Sequence, residues 1–318
     1  MNPDERILVT GATGLIGGAL IARLLLDGVG SVRATVRGLA GGLSAAVEVK
    51  PIGDLGPATD WSRALGDVTA VVHTAARVHV MREQAADPLA VYRRDNVEGT
   101  LQLARQAAES GVRRFVFLSS IKVNGEETLP GRPCRAADAP RPEDAYGISK
   151  LEAEQGLMNL AQEAGMEVVI LRPPLVYGPG VKGNFAALIK ALARGLPLPL
   201  GAITDNRRSL VGLDNLVDLI RVCLEHPAAA NQVFLAGDGE DLSTAELLRR
   251  LGQALGRPAR LIPVPPALMK AGARALGREG VCRRLCGSLQ VDIAPTCERL
   301  DWTPPLGVDE ALARTVRG

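Results

Sequence analysis

An α/β architecture, a parallel sheet wound on both faces by helices, is predicted by three observations. Short β-rich runs alternate with longer amphipathic runs through the first half of the chain. The β-rich runs are apolar on both faces, as strands buried in a parallel sheet must be. A glycine-rich turn, Gly11-Ala-Thr-Gly14-Leu-Ile-Gly17, joins the first strand to the first helix. With 318 residues against a usual domain of about 100–200, one large unit of about seven strands or two closely joined parts are expected.

The strands are expected at Arg6–Thr10, Val32–Val36, Val47–Ile52, Ala70–His73, Phe115–Leu118, Val168–Leu171 and Gln232–Leu235, each rich in β-branched or aromatic residues. Helices are expected over Leu15–Gly28, from about Pro88 to Ser110 and from about Ala145 to Ala164, where apolar residues recur at helical spacing. Beyond Leu171 the text changes. Prolines at 173, 174, 179, 197 and 199 and glycines at 178, 180 and 183 punctuate it. From Leu242 onward two or three helices are expected, separated by Pro263-Val-Pro-Pro266. The expected division is a nucleotide-binding part, residues 1–175 with 205–240 returning to it, and a smaller α-rich substrate lid, residues 176–204 and 241–318.

Composition narrows the function. Hydrophobic residues are 47% and charged residues 23%, ordinary globular usage that excludes a disordered chain. Lys+Arg 37 against Asp+Glu 35 leaves +2, which gives no electrostatic ground for nucleic acid or an anionic membrane as a partner. No stretch of 18 apolar residues runs free of charge, so no transmembrane helix is expected. The acidic start Asn2-Pro3-Asp4-Glu5 is unlike a secretory signal, and a cytoplasmic location is expected. The five cysteines are odd in number and scattered, which fits reduced thiols. Cys282 and Cys286 lack a neighbouring histidine, so no metal is expected.

The glycine turn carries the first chemistry. Glycines let the backbone turn tightly and approach a pyrophosphate, while free N–H groups at the helix start point at the anion. A turn that needs glycine for geometry alone is the competing reading. The position directly after a strand, opening a helix, favours dinucleotide binding. Gly11, Thr13, Gly14, Leu15, Ile16 and Gly17 are the candidate contacts. The second strand ends Val32-Arg-Ala-Thr-Val-Arg37, with no acid for an adenosine 2′-hydroxyl and Arg37 placed for a 2′-phosphate. NADP(H) is therefore favoured over NAD(H). Asp54 and Leu55 are expected to border the adenine, and His73, Ala75 and Ala76 the nicotinamide ribose.

Tyr146-Gly-Ile-Ser-Lys150 opens a predicted helix, and a spacing of four puts both side chains on one face. A nearby ammonium lowers a phenol below its usual pKa of about 10, so Tyr146 is expected to trade protons near neutral pH. Ser119-Ser120 closes a strand at its carboxyl end, where such sheets bind ligands. A serine there can hydrogen-bond the same substrate oxygen.

These motifs resemble the extended short-chain dehydrogenase/reductase superfamily, in its NAD-dependent epimerase/dehydratase branch. The resemblance covers nearly the whole chain. It includes His73-Thr-Ala-Ala76, Asn96-Val-Glu-Gly-Thr100, Leu171-Arg-Pro-Pro-Leu-Val-Tyr-Gly-Pro179, Leu213-Asp-Asn-Leu-Val217 and Leu300-Asp-Trp-Thr-Pro304. Ser119-Ser-Ile-Lys-Val-Asn-Gly125 and Asn206-Arg-Arg-Ser-Leu210 look like the UDP-glucose 4-epimerase-like subgroup, which includes bacterial reductases of 4-keto-6-deoxy-N-acetylhexosamine nucleotides used in O-antigen synthesis.

The resemblance implies a Rossmann-type fold. It makes Tyr146 the general acid/base, Lys150 its electrostatic partner and a ribose ligand, and Ser120, rather than Ser119, the residue that orients O4 of a sugar. It adds Asn96 and Pro173 to the cofactor contacts. Lys122, Asn184, Arg207 and Arg284 become substrate contacts, Arg207 as a phosphate ligand whose guanidinium forks onto oxygens. Arg283 is the alternative to Arg284. It also implies a homodimer through the helices near 88–110 and 145–164.

Two departures stand out. Leu175 replaces an asparagine usual in the family, and Asn124 replaces a tyrosine. Ile121-Lys122 stand where 4,6-dehydratases carry an acidic pair, which argues against elimination of water. The expected activity is NADPH-dependent reduction of a UDP-4-keto-6-deoxy-N-acetylhexosamine at C4. The alternative is a UDP-hexose (UDP-glucose or UDP-N-acetylglucosamine) 4-epimerase with tightly held NAD. A non-catalytic NADP-binding regulator is a remote third reading, disfavoured because Tyr146, Lys150 and Ser120 are all present.

Overall fold

A computed structural model describes residues 5–38, 42–78 and 87–318. The described strands are β1 (Arg6–Thr10), β2 (Ser31–Val36), β3 (Glu48–Pro51), β4 (Ala70–His73), β5 (Arg114–Leu118), β6 (Glu167–Arg172), β7 (Leu175–Tyr177), β8 (Arg208–Gly212), β9 (Gln232–Leu235) and β10 (Asp241–Leu242). The described helices are α1 (Leu15–Leu26), α2 (Ser62–Leu65), α3 (Pro88–Tyr92), α4 (Gly99–Glu109), α5 (Ala145–Ala164), α6 (Gly183–Ala193), α7 (Leu213–Glu225), α8 (Thr244–Ala254), α9 (Pro266–Ala275), α10 (Glu279–Cys286), α11 (Ala294–Leu300) and α12 (Val308–Arg317).

Seven strands form one sheet in the order β3-β2-β1-β4-β5-β6-β9. Every pairing in it is parallel, with Ile7 opposite Val32 on one side of β1 and Ala70 on the other. This is the doubly wound Rossmann-type fold expected. Alternate side chains feed two cores. Ile7, Val9 and Val72 pack with Leu20 of α1 and Leu216 of α7. Leu8, Val71 and Phe115 pack with Leu103 of α4 and Leu157 of α5. Burial on both faces is why these strands read as unbroken apolar runs. Strand order reverses between β1 and β4, and ligands bind such sheets at the carboxyl ends flanking that point.

β7, β8 and β10 make a second, three-stranded sheet. It shares a third core with Phe185, Leu248 and Leu312 from α6, α8 and α12. α5 is bounded by two local signals. Asp144 caps its start by accepting from the Gly147 N–H at 2.7 Å, and Gly165 ends it at φ +68.

Three expectations need correction. The helix expected over 88–110 is interrupted by a π-helical turn, Arg93–Glu98, between α3 and α4. Such single turns inside α-helices are frequent at functional sites; no periodicity signals them. Past Leu242 there are five described helices rather than two or three, because the short α10 and α11 carry too few turns to show a period. The third strand is shorter than expected and begins at Glu48, whose carboxylate pairs with Arg33 of β2.

Candidate active site

Gly11 sits at φ +69, a conformation in which only glycine is unstrained, and a Cβ there would lie 2.6 Å from the Thr74 hydroxyl. A Cβ on Gly17 would collide with the Gly11 carbonyl. The turn is therefore a bare backbone cradle. The Gly14 N–H bonds the Gly11 carbonyl at 2.9 Å and α1 starts at Leu15 without a side-chain cap. The first N–H groups of a helix have no intrahelical acceptor. At the switch point, this cradle fits a dinucleotide pyrophosphate. Thr13 is exposed, and Leu15 and Ile16 are half-buried along the same turn.

The sequence-derived cofactor candidates separate into lining and support. Arg37 is exposed just past β2, as are Asp54 past β3 and, half-buried, Leu55, which rests on Gly99. Ala75 and Ala76 lie half-buried past β4. His73, in contrast, points into the sheet interior. Its Nδ1 contacts Thr10 Oγ1 at 2.7 Å and its Nε2 contacts Thr100 Oγ1 at 3.0 Å. Burial, with Lys150 adding, pushes its pKa down to about 3, so the ring is neutral and spent on these two hydroxyls. Asn96 is likewise a clamp. It exchanges two hydrogen bonds with the Arg77 backbone, at 2.8 and 3.0 Å, and donates to Ser149 Oγ at 3.0 Å. The π-helical turn carries it there. The Pro173 carbonyl accepts from the Ile121 N–H at 3.0 Å and ties the ends of β5 and β6 together.

Around the carboxyl end of β5 the structure assembles Ser120, Tyr146 and Lys150. The Ser120 hydroxyl bonds the Tyr146 phenol and accepts from the Lys122 N–H at 3.2 Å. Ser119 faces the other way, where its hydroxyl donates to Glu154. Lys150 Nζ donates to the Leu118 carbonyl at 2.8 Å, 4.3 Å from the Phe117 ring centre and 6.0 Å from that of Tyr146. Tyr92 packs edge-on against Tyr146, their ring centres 6.1 Å apart.

The proton affinities differ from expectation. Burial raises the Tyr146 phenol above its usual value, Asp144 adds to this, and the Ser120 hydrogen bond opposes it. Burial lowers Lys150 to about 7, with Glu154 opposing. The expected depression of the phenol is therefore absent here, because the loss of water around it, with Asp144 adding, outweighs the Ser120 hydrogen bond.

Behind these groups lies a network that sequence reasoning missed. Glu154, one turn past Lys150 on α5, is buried and takes a forked ion pair from Arg172, with contacts of 2.6 and 3.0 Å. Arg172 also donates to Asn124 Oδ1 at 3.0 Å, which gives the unusual Asn124 a partner. The i, i+4 spacing of Lys150 and Glu154 was the available signal.

The substrate candidates are dispersed. Lys122 Nζ is held by Asp144 and by Glu126, the latter at 2.9 Å. Burial alone would lower its pKa, but these two carboxylates raise it. Asn184 is exposed in the first turn of α6. Arg207 turns outward and bonds the carbonyls of Thr204 and Asn206 at 2.9 Å each. The next residue, Arg208, turns inward instead. It is half-buried, donates to the Gly287 carbonyl at 3.2 Å, and has Glu127, Arg284 and Glu126 as its charged neighbours. Strand alternation from β8 explains the difference. Arg284 is exposed, and Arg283 pairs with Glu126 and, at 2.9 Å, with Glu143. Leu175, in β7, is 48% exposed.

A glycine cradle at a sheet switch point, with a Tyr-x-x-x-Lys pair at the end of a neighbouring strand, defines a dinucleotide-dependent oxidoreductase of the extended short-chain dehydrogenase/reductase type. The chain matches the model of the NAD dependent epimerase/dehydratase family over residues 7–237 and belongs to that family. It is 49% identical over 316 residues to a UDP-glucose 4-epimerase of Vibrio cholerae, covering 98% of this chain and 95% of that one. It is 27% identical to the N-acetyl-alpha-D-glucosaminyl-diphospho-ditrans,octacis-undecaprenol 4-epimerase of Escherichia coli O157:H7, over 99% of this chain and 95% of that one. Among solved structures, the UDP-glucose 4-epimerase of Thermotoga maritima with UDP-glucose superposes with a TM-score of 0.78 at 24% identity, covering 98% and 97% of the two chains. The last likeness concerns the fold. No described helix is long and apolar enough to cross a membrane.

Proposed function

We propose that this protein interconverts the C4 epimers of a nucleotide sugar, a UDP-hexose first, with NAD retained through the cycle. The observation that carries this reading is the Ser120–Tyr146–Lys150 cluster beside the glycine cradle, in a chain 49% identical along its length to a UDP-glucose 4-epimerase. Gly11, Gly14 and Gly17 would hold the dinucleotide pyrophosphate, and Lys150 its ribose. When bound, NAD supplies reversible hydride acceptance from C4.

The chain's own residues handle the proton. Tyr146 takes the O4 proton as the bond to hydrogen at C4 breaks, and returns it when the other face is reduced. Its raised pKa favours the protonated phenol, the form that returns the proton. The Lys150 ammonium, when protonated, stabilises the phenolate form. Ser120 orients O4. Arg208, rather than Arg207, points inward for the substrate diphosphate, with Arg284 as its second cation. Residues 1–175 and 205–240 serve as the nucleotide-binding part, residues 176–204 and 241–318 as the lid, and α4 with α5 as the face of a homodimer.

Reduction of a UDP-4-keto-6-deoxy-N-acetylhexosamine by NADPH is the second reading. It is favoured by one observation: β2 ends without an acid, and Arg37 is exposed just beyond it. Acid-quenched protein, freshly purified, separates the two. Release of NAD near one per chain supports the epimerase. An empty protein that binds NADPH far more tightly than NADH overturns it for the reductase.

A further inference from the structure

The chain's small net charge hides a segregation. Residues 257–288, which run from the end of α8 through α10, hold seven Lys or Arg against a single acid, Glu279. That segment is +6 in a chain of +2, so the remainder is −4.

The same segment exposes apolar side chains. No residue of α9 is buried. Met269 and Ala273 are half-buried on its inner side, and Met269 touches the lid core. Leu268 is 65% exposed, and Leu276, just past the helix, is 74% exposed. Ile262 before the helix and Val281 after it are 49% and 43% exposed. At 100° per residue, Ala267, Leu268, Ala271 and Ala275 form one outward row, with Lys270 and Arg274 beside it. Lys270 and Arg278 form no ion pair among the described residues, and Arg274 pairs only with the neighbouring Glu279.

An apolar row facing water, bordered by exposed cations of which Lys270 and Arg278 form no ion pair among the described residues, has one natural solvent, the boundary of an anionic bilayer. There the hydrocarbon leaves water while the cations reach lipid phosphates. We propose that α9 and its flanking turns dock this protein on an anionic membrane surface. The helix has 10 residues, so it lies on the surface and does not span it. A second copy fits this face less well, because the exposed cations of two copies would meet. A nucleic acid fits it less well too. Residues 257–288 contain no aromatic side chain for base stacking, and the apolar row would remain in water.

The test is co-sedimentation of the full chain with phosphatidylglycerol–phosphatidylcholine vesicles against phosphatidylcholine alone. Binding to the anionic vesicles, weakened by salt, is expected. K270Q/R274Q/R278Q should lower the partition coefficient on the order of 100-fold, and L268S/L276S on the order of 10-fold. Both variants should keep the wild-type melting temperature, since every altered side chain is exposed. Absence of wild-type binding to anionic vesicles overturns the docking. Equal binding by wild type and both variants does so as well. A dimer that becomes monomer in L268S/L276S without vesicles assigns the face to a second copy instead.

Discussion

The carboxyl end of β5 and the outer face of α9 treat their polar groups in opposite ways. At β5, Ser119, Lys150, Glu154 and Arg172 are buried, and each is met by a partner within the fold. On α9, Lys270 and Arg274 stand in water beside exposed leucine and alanine. Buried polar groups must be paired because desolvation is costly, so the first region fixes geometry. The second fixes none within this chain, and its groups remain available to something outside it.

The contrast is broken most directly by Tyr146→Phe. The ring stays and only the hydroxyl goes, so kcat should fall by about 10²–10⁴, while thermal melting stays near wild type. An unchanged kcat would remove Tyr146 from the mechanism. Glu154→Gln comes next. It leaves Arg172 buried opposite a neutral amide, and breaking such a pair costs about 3–5 kcal/mol, read as a lower denaturant midpoint. Against this, the exposed pair L268S/L276S should change stability by less than about 0.5 kcal/mol.

Lys150 separates activity from stability by pH. Its pKa falls from 10.5 to about 7 on folding. The unfolded chain therefore binds more protons between these values. The destabilisation from this residue is full below about 7 and fades as pH rises toward 10.5. The ammonium proposed to assist Tyr146, however, is lost as pH rises through about 7. A fall in kcat/KM above pH 7, with this residue's share of stability moving the other way, is the expected profile. Lys150→Met should lose that alkaline limb; an unaltered limb in this variant assigns it to another group.

Two glycines extend the comparison, and the smaller effect is the one on α9. Gly17→Ala should abolish dinucleotide binding in an equilibrium titration, because its Cβ meets the Gly11 carbonyl. Gly272→Ala on α9 meets no atom within 4 Å and should stabilise the helix by about 0.5–1 kcal/mol. Thermal melting of the two variants measures the difference.

The sheet and the Tyr-x-x-x-Lys pair were legible because each is local. Apolar runs, a glycine turn and a spacing of four need no knowledge of distant residues. What was illegible depends on tertiary contact. Arg207 and Arg208 are adjacent, and only the register of β8 decides which turns inward. His73 sits at a strand end that faces the cleft, yet Thr10 and Thr100, 63 and 27 residues away, draw its ring inward. Glu154 of α5 gains its meaning from Ser119 and Arg172 at the ends of two strands. Net charge is uninformative for a related reason: a sum of +2 conceals a +6 segment balanced by acids elsewhere.

The proposed C4 epimerisation involves no net redox change. Purified protein incubated with UDP-glucose, with no added dinucleotide, should be followed by proton NMR of the sugar. Growth of the UDP-galactose signals to a fixed ratio is expected, with the same ratio when the reaction starts from UDP-galactose. Unchanged spectra from both UDP-hexoses and from both UDP-N-acetylhexosamines, together with oxidation of NADPH by a 4-keto-6-deoxy nucleotide sugar, would contradict it.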